Sequence, residues 1–139
     1  MALFRAIFVF MSKFIIQVNG SVYGNSAGYH ACRFARAALE SGHQVIRVFF
    51  YQDGVTHSNS LLAPASDEFN QYDQWCQLAE QYSIELVNCV SAALRRGMLS
   101  AQEASENQQA HWNVTAPFTM GGLGELVTGI EQADRLICF

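Results

Sequence analysis

The chain has 139 residues, half of them apolar and 14% charged, with a net charge of −4. That length suits one domain with a core of its own, and the apolar content excludes a disordered chain. The negative balance argues against nucleic acid as a direct partner, because the eight Lys and Arg are scattered apart from Arg95-Arg96, a pair that reads as the basic end of a helix.

Residues 1–10 carry one Arg and a short apolar run broken by Ser12-Lys13, with no small-x-small cleavage site and too little length to span a bilayer. They read as an extension or an upstream start, and the domain is expected over residues 11–139 in a cytoplasmic protein. Residues 13–18 form a β-rich apolar run of the kind buried in a parallel sheet. A turn-forming stretch over 19–26 follows, then a helix over 26–41 with Tyr29, Cys32, Ala35 or Arg36, and Leu39 on one face and Gly42 closing it. A second strand spans 44–51. The loop over 52–66 leads to a helix capped by Asp67 and ending near Tyr82, with a stripe of Phe69, Tyr72, Trp75 or Cys76, and Ala79.

A third strand over 84–90 contains Cys89, and residues 91–97 read as a helical turn or two closed by Gly97. Ser100 and Glu103 have the spacing of a capping box. A short strand is expected over 114–119, interrupted by Pro117. The glycines over 121–124 lead into a helix to Ala133, and a last strand covers 135–139. Strand and helix alternate throughout, which predicts an α/β sandwich around a mostly parallel sheet. Its working crevice lies beyond the carboxyl ends of the strands, where the loops over 19–25 and 52–66 meet the Cys89 junction.

Cys89 is the strongest candidate for chemistry. At a strand's carboxyl end facing a helix's amino end, backbone N–H groups and the helix dipole favour the thiolate, the reactive form. The competing reading is a small buried hydrophobe. Cys32, Cys76 and Cys138 read as core packing. None of the four lies in a C-x-x-C pair or a zinc spacing, so reduced thiols are expected, with no metal and no organic cofactor. Gly20, Tyr23, Gly24 and Asp53 line the expected crevice. His57 lies in its second loop, either as a solvated loop histidine or as an aid to proton transfer at sulfur. The glycine loop over 19–24 lacks the lysine of a phosphate-binding loop and the three-glycine spacing of a dinucleotide site.

Gly20-Ser21-Val22-Tyr23-Gly24, Val48-Phe49-Phe50-Tyr51 with Asp53-Gly54-Val55, and Pro64-Ala65-Ser66-Asp67-Glu68-Phe69 occur in this order. They are followed by Cys89-Val90-Ser91-Ala92-Ala93-Leu94-Arg95-Arg96-Gly97 and Phe118-Thr119-Met120-Gly121-Gly122-Leu123-Gly124. Together they resemble the DsrE-like sulfur-relay family over residues 13–139, and within it the sulfurtransferase subunit of tRNA 2-thiouridine synthesis. The resemblance implies a three-layer α/β/α sandwich around a five-stranded parallel sheet, with Cys89 carrying sulfur as a persulfide. It implies a heterohexamer with TusB-like and TusC-like subunits, a TusA-like sulfur donor and a TusE-like acceptor serving 2-thiolation of the tRNA wobble uridine. The same resemblance leaves open a DsrE-type subunit of dissimilatory sulfur oxidation, and a non-catalytic assembly subunit.

Overall fold

Five short runs rich in β-branched and aromatic residues pair into one sheet, all strands parallel, in the order β4-β3-β2-β1-β5. The strands are β1 (Lys13–Val18), β2 (Gln44–Phe50), β3 (Glu85–Cys89), β4 (Phe118–Gly121) and β5 (Arg135–Cys138). The helices are α1 (Ala27–Glu40), α2 (Gln71–Tyr82), α3 (Val90–Leu94), α4 (Ala101–Glu106) and α5 (Leu123–Gln132), with a 3-10 helix at Gln52–Ser58. The computed structural model describes residues 10–139; the extension expected over 1–10 falls outside these except for Phe10.

Chain order and handedness give the three layers. From β1 to β4 each strand is laid beside the last in one direction, so right-handed crossovers put α1, α2 and the α3–α4 segment on one face. The step from β4 to β5 runs back across the whole sheet, which puts α5 on the other. Aromatic contacts mark the first face: Phe14 of β1 meets Phe34 of α1 edge-on at 5.2 Å, and Phe50 of β2 meets Trp75 of α2 edge-on at 5.3 Å. The second face is marked by Arg47 of β2, whose Nη1 donates to the Glu125 carbonyl of α5 at 2.6 Å. Gly129 of α5 sits so close to Ile15 of β1 that a Cβ there would lie 2.1 Å from Ile15 Cδ1.

The core lies mainly under α1 and α2. Ile16, Val18, Val48, Phe50 and Leu86 of the sheet pack with Ala31, Cys32, Ala35, Trp75 and Leu78 of the two helices, all buried. Each fully buried large side chain contributes roughly 1.5–3 kcal/mol by leaving water. The buried stripe of α1 is Gly28, Ala31, Cys32, Ala35 and Ala38, not the line through Tyr29 and Leu39. Small side chains let the helix lie close to the sheet, while Tyr29 is displaced to the rim, where it meets Phe69 edge-on at 5.0 Å.

Other boundaries move for local reasons. Asn70, not Asp67, caps α2, its side chain accepting from the Asp73 N–H at 3.1 Å. Phe69 is therefore outside the helix and half-exposed. The fourth strand begins only at Phe118 and runs on to Gly121, because Pro117 has no N–H to give a ladder. The capping box at Ser100 and Glu103 forms as its spacing predicts, and Gly42 and Gly97 adopt the positive φ of glycines that end helices, +85° and +72°.

The loop over 52–66 contains the 3-10 helix, which periodicity did not signal. It can pack at the end of β1 because position 54 has no side chain: a Cβ on Gly54 would lie 1.8 Å from the Val18 carbonyl oxygen. Backbone at both ends of that contact leaves nothing flexible to move aside. Gly54→Ala is expected to destabilise the fold by about 2 kcal/mol or more, read as a lower denaturation midpoint with an unchanged slope; a midpoint within error of the parent would contradict the packing described.

Candidate active site around Cys89

Cys89 is the last residue of β3, paired in register with Gly121, the last residue of β4. The chain leaves these two neighbours toward opposite faces, β3 into α3 and β4 into α5. In a parallel sheet such a divergence opens a crevice at the strand ends. Strand alternation puts Cys89 on the same side as Phe49 and Val87, the face covered by α5. Gly121 keeps the neighbouring position free of a side chain, and the Glu125 carboxylate fills the space: a Cβ on Gly121 would be 2.6 Å from it.

Cys89 is only 2% exposed and takes the N-cap position of α3. The expected junction of strand and helix is present, but α3 has five residues and its N–H groups make no hydrogen bond to the sulfur. The polar partner of Sγ is the Ser91 hydroxyl, 3.4 Å away. Ser91 was not singled out from the sequence. Its signal was present, since a residue two positions past an N-cap is well placed to turn its side chain back toward the cap.

The other residues nominated from the sequence lie in two loops that hydrogen bonds tie to each other, to β3 and to α3. Gly20 lies where a Cβ would collide with Asn25 Oδ1 at 2.6 Å, and its carbonyl accepts from His57 Nε2 at 3.2 Å. The Val22 N–H donates to Thr56 Oγ1 at 3.0 Å, tying the same loop to the 3-10 helix. That helix is tied in turn to β3, where Asn88 Nδ2 donates to Ser58 Oγ at 2.6 Å. It is tied to α3 by Asp53, whose carboxylate accepts from Arg96 Nε at 2.8 Å while Arg96 Nη1 donates to the Ala92 carbonyl at 3.0 Å. Arg96 thus both satisfies a carbonyl of α3 and tethers that helix to the 3-10 helix. Tyr23 is more than half exposed and Gly24 turns the chain at φ +94°, so both shape the first loop at its outer edge.

His57 is neither solvated nor in reach of solvent: it is fully buried, between Phe50, Trp75 and the backbone of α1. Gly28 makes room for it, since a Cβ at that position would be 2.0 Å from the ring carbon Cε1. Trp75 Nε1 donates to Nδ1 at 3.4 Å, which fixes the tautomer with its proton on Nε2, the nitrogen facing Gly20. Burial pushes the imidazolium pKa down to about 4, against a smaller opposing effect from the Gly20 carbonyl. The ring is a neutral strut between the first loop and α2.

Among the other cysteines, Cys32 is buried in the core and its thiol is pushed up to about 12 by burial, only partly offset by Arg36. Cys76 is half-buried and its pKa is also raised, again chiefly by burial. Cys138 departs from the core-packing expectation: β5 is an edge strand, and its thiol is exposed, with the Asn19 amide 3.9 Å away. Among the described residues no group of three His, Cys, Asp or Glu converges closely enough to hold a metal ion, and no helix is long and apolar enough to cross a membrane.

Two outcomes follow from this chemistry. Because folding lowers the His57 pKa, the unfolded chain binds the extra proton first as pH falls below 6.5. Stability should therefore be fully present above that pH and drop by about 1.4 kcal/mol per pH unit down to about pH 4. His57→Gln should be less stable at pH 7 but lose this dependence, checked by urea unfolding between pH 4 and 7.5. In native alkylation, Cys138 should be modified at least about tenfold faster than Cys32, which is both buried and protonated; equal rates by peptide mass spectrometry would contradict the two environments.

The sequence model of the DsrE/DsrF-like family matches residues 12–139. DsrE of Allochromatium vinosum is 46% identical over 127 residues, covering 91% of this chain and 98% of that protein. The sulfurtransferase TusD homolog of Vibrio vulnificus is 44% identical over 127 residues, covering 91% and 97%. Sulfurtransferase TusD of Serratia proteamaculans is 43% identical over 129 residues, covering 93% and 100%. Among solved structures, the ychN protein from E. coli superimposes with a TM-score of 0.74 at 21% identity, covering 93% of this chain and all of the other, which is a likeness of fold. With the family model spanning nearly the whole described chain and relatives above 40% identity along it, the chain belongs to the DsrE/DsrF-like family and is a sulfurtransferase.

Proposed function

We propose that Cys89 is the sulfur-carrying residue, holding the transferred atom as a persulfide. The observation that carries this reading is its place at the β3–β4 divergence, at the carboxyl end of a parallel sheet, with a hydroxyl beside the thiol. In the proposed cycle, the Cys89 thiolate attacks the outer sulfur of a donor persulfide. The donor's S–S bond breaks, the donor leaves as a thiolate, and Cys89–S–SH is formed. An acceptor thiolate then attacks that outer sulfur and Cys89 leaves as the thiolate, with no net oxidation or reduction. Near-complete burial shields the persulfide from stray thiols and oxidants, so transfer takes place when a docked carrier uncovers the sulfur.

In this reading the donor is a TusA-like carrier and the acceptor a TusE-like protein, serving 2-thiolation of the tRNA wobble uridine in the cytoplasm. The single domain over residues 11–139 would work in a heterohexamer with TusB-like and TusC-like subunits. Leu123, Val127 and Ile130 support assembly: they recur on one side of α5 and are each 42–54% exposed, an apolar stripe suited to a subunit contact. A second reading has its own support. The relative named DsrE is as similar to this chain as those named TusD, which favours equally a DsrE-type subunit of sulfur oxidation. The chemistry at Cys89 is the same in both, and the acceptor that takes the sulfur distinguishes them.

The test is persulfide mapping. The protein is loaded from a cysteine desulfurase and its carrier, thiols are blocked by alkylation, and peptides are weighed. An added sulfur on the Cys89 peptide, lost in Cys89→Ser with the fold intact, is expected. Sulfur spread over all four cysteines, or full transfer by Cys89→Ser, would leave the chain as an assembly subunit.

A further inference from the structure

Cys89 poses a proton problem. The thiol must lose its proton before it can attack, yet Cys89 is 2% exposed and packed among apolar side chains. The backbone N–H groups of α3 do not bond to it, and its carboxylate neighbour Glu125 lies over Gly121 on the next strand. The group within hydrogen-bonding distance is Ser91 Oγ, at 3.4 Å. Ser91 differs from Cys89 in one decisive respect: it is exposed. One side chain therefore touches the buried sulfur and the solvent at once.

A serine hydroxyl has one donor and two acceptor sites and can turn about its Cα–Cβ and C–O bonds. Toward the thiol it accepts the S–H; toward the thiolate it donates its O–H. The hydroxyl thus serves both protonation states from one position. The main chain holds it there: Ser91 is in the first turn of α3, and its carbonyl accepts from the Arg95 N–H at 3.2 Å, in a helix that Arg96 ties to Asp53.

We propose that Ser91 is a proton-handling residue for sulfur transfer at Cys89, an inference that rests on the reading of Cys89 as the carrier. As the thiol ionises, the S–H bond breaks, its electron pair stays on sulfur, and the proton passes to Ser91 Oγ. The hydroxyl's original proton leaves to water or a buffer base, and the O–H that remains donates to the thiolate. When the acceptor later takes the outer sulfur, Cys89 leaves as a thiolate into the same hydrogen bond and regains its proton by the reverse path.

The test uses the full chain at fixed neutral pH with Ser91→Ala and Ser91→Thr. The first readout is the rate of iodoacetamide alkylation at the Cys89 peptide, which needs no sulfur donor. The second is the rate of sulfur loading from the desulfurase and carrier. Ser91→Ala should slow both by about tenfold, the scale of a hydrogen bond to a charged group, and Ser91→Thr, which keeps the hydroxyl, should recover most of it. Alkylation of Ser91→Ala at the parental rate, or Thr no better than Ala, would overturn the inference. If alkylation follows the hydroxyl but the parent takes no sulfur at Cys89, Ser91 activates the thiol as inferred and the carrier reading is what fails.

Discussion

The direction in which strands are added constrains everything else in this molecule. Three successive crossovers build outward from β1 to β4, and the chain then returns across the sheet to place β5 on the far edge, beside β1. Right-handed connection forces the returning helix onto the opposite face. The consequence is local as well as global: β3 and β4 end side by side, paired at Cys89 and Gly121, and their continuations part. That divergence is a product of topology, and it is where Cys89, the proposed sulfur carrier, stands.

The frame around the crevice is held by a few polar contacts set into an apolar core. His57 connects the first loop to α2 without carrying charge, and burial keeps it neutral. Asn88–Ser58 and Asp53–Arg96 attach the 3-10 helix to β3 and α3. The buried pairs are worth more than the exposed ion pair, where water competes for both partners and the contribution is about 0–1 kcal/mol. Rigidity at the base of the crevice and burial of Cys89 are two sides of one arrangement. The thiol is protected by the packing that also isolates it from water, and a neighbouring hydroxyl reconciles the two.

Much of the fold was legible because its signals are local. Apolar runs bounded by turn residues located the strands, the Ser100–Glu103 spacing gave the start of α4, and glycines at 42 and 97 marked helix ends. Errors fell where a neighbour in space decides. Asn70 displaced Asp67 as a cap, Tyr29 left the buried stripe of α1, and the 3-10 helix at Gln52–Ser58 has too few residues to show a period. His57 was placed on the correct loop but in the wrong environment, since sequence cannot show that Gly28 on a distant helix leaves a hollow for its ring.

Alternation of strand and helix, the family motifs and the position of Cys89 at the end of an apolar strand are properties of the amino-acid order, and they determined the architecture and the candidate nucleophile. Which face Cys89 takes, how deeply it is buried, and that Cys138 is exposed on an edge strand were decided by the tertiary structure alone. The reason is physical: patterning reports the environment of a residue averaged along its own element. Burial, proton affinity and hydrogen-bond partners depend on side chains brought from elsewhere in the chain, at distances that sequence spacing does not encode.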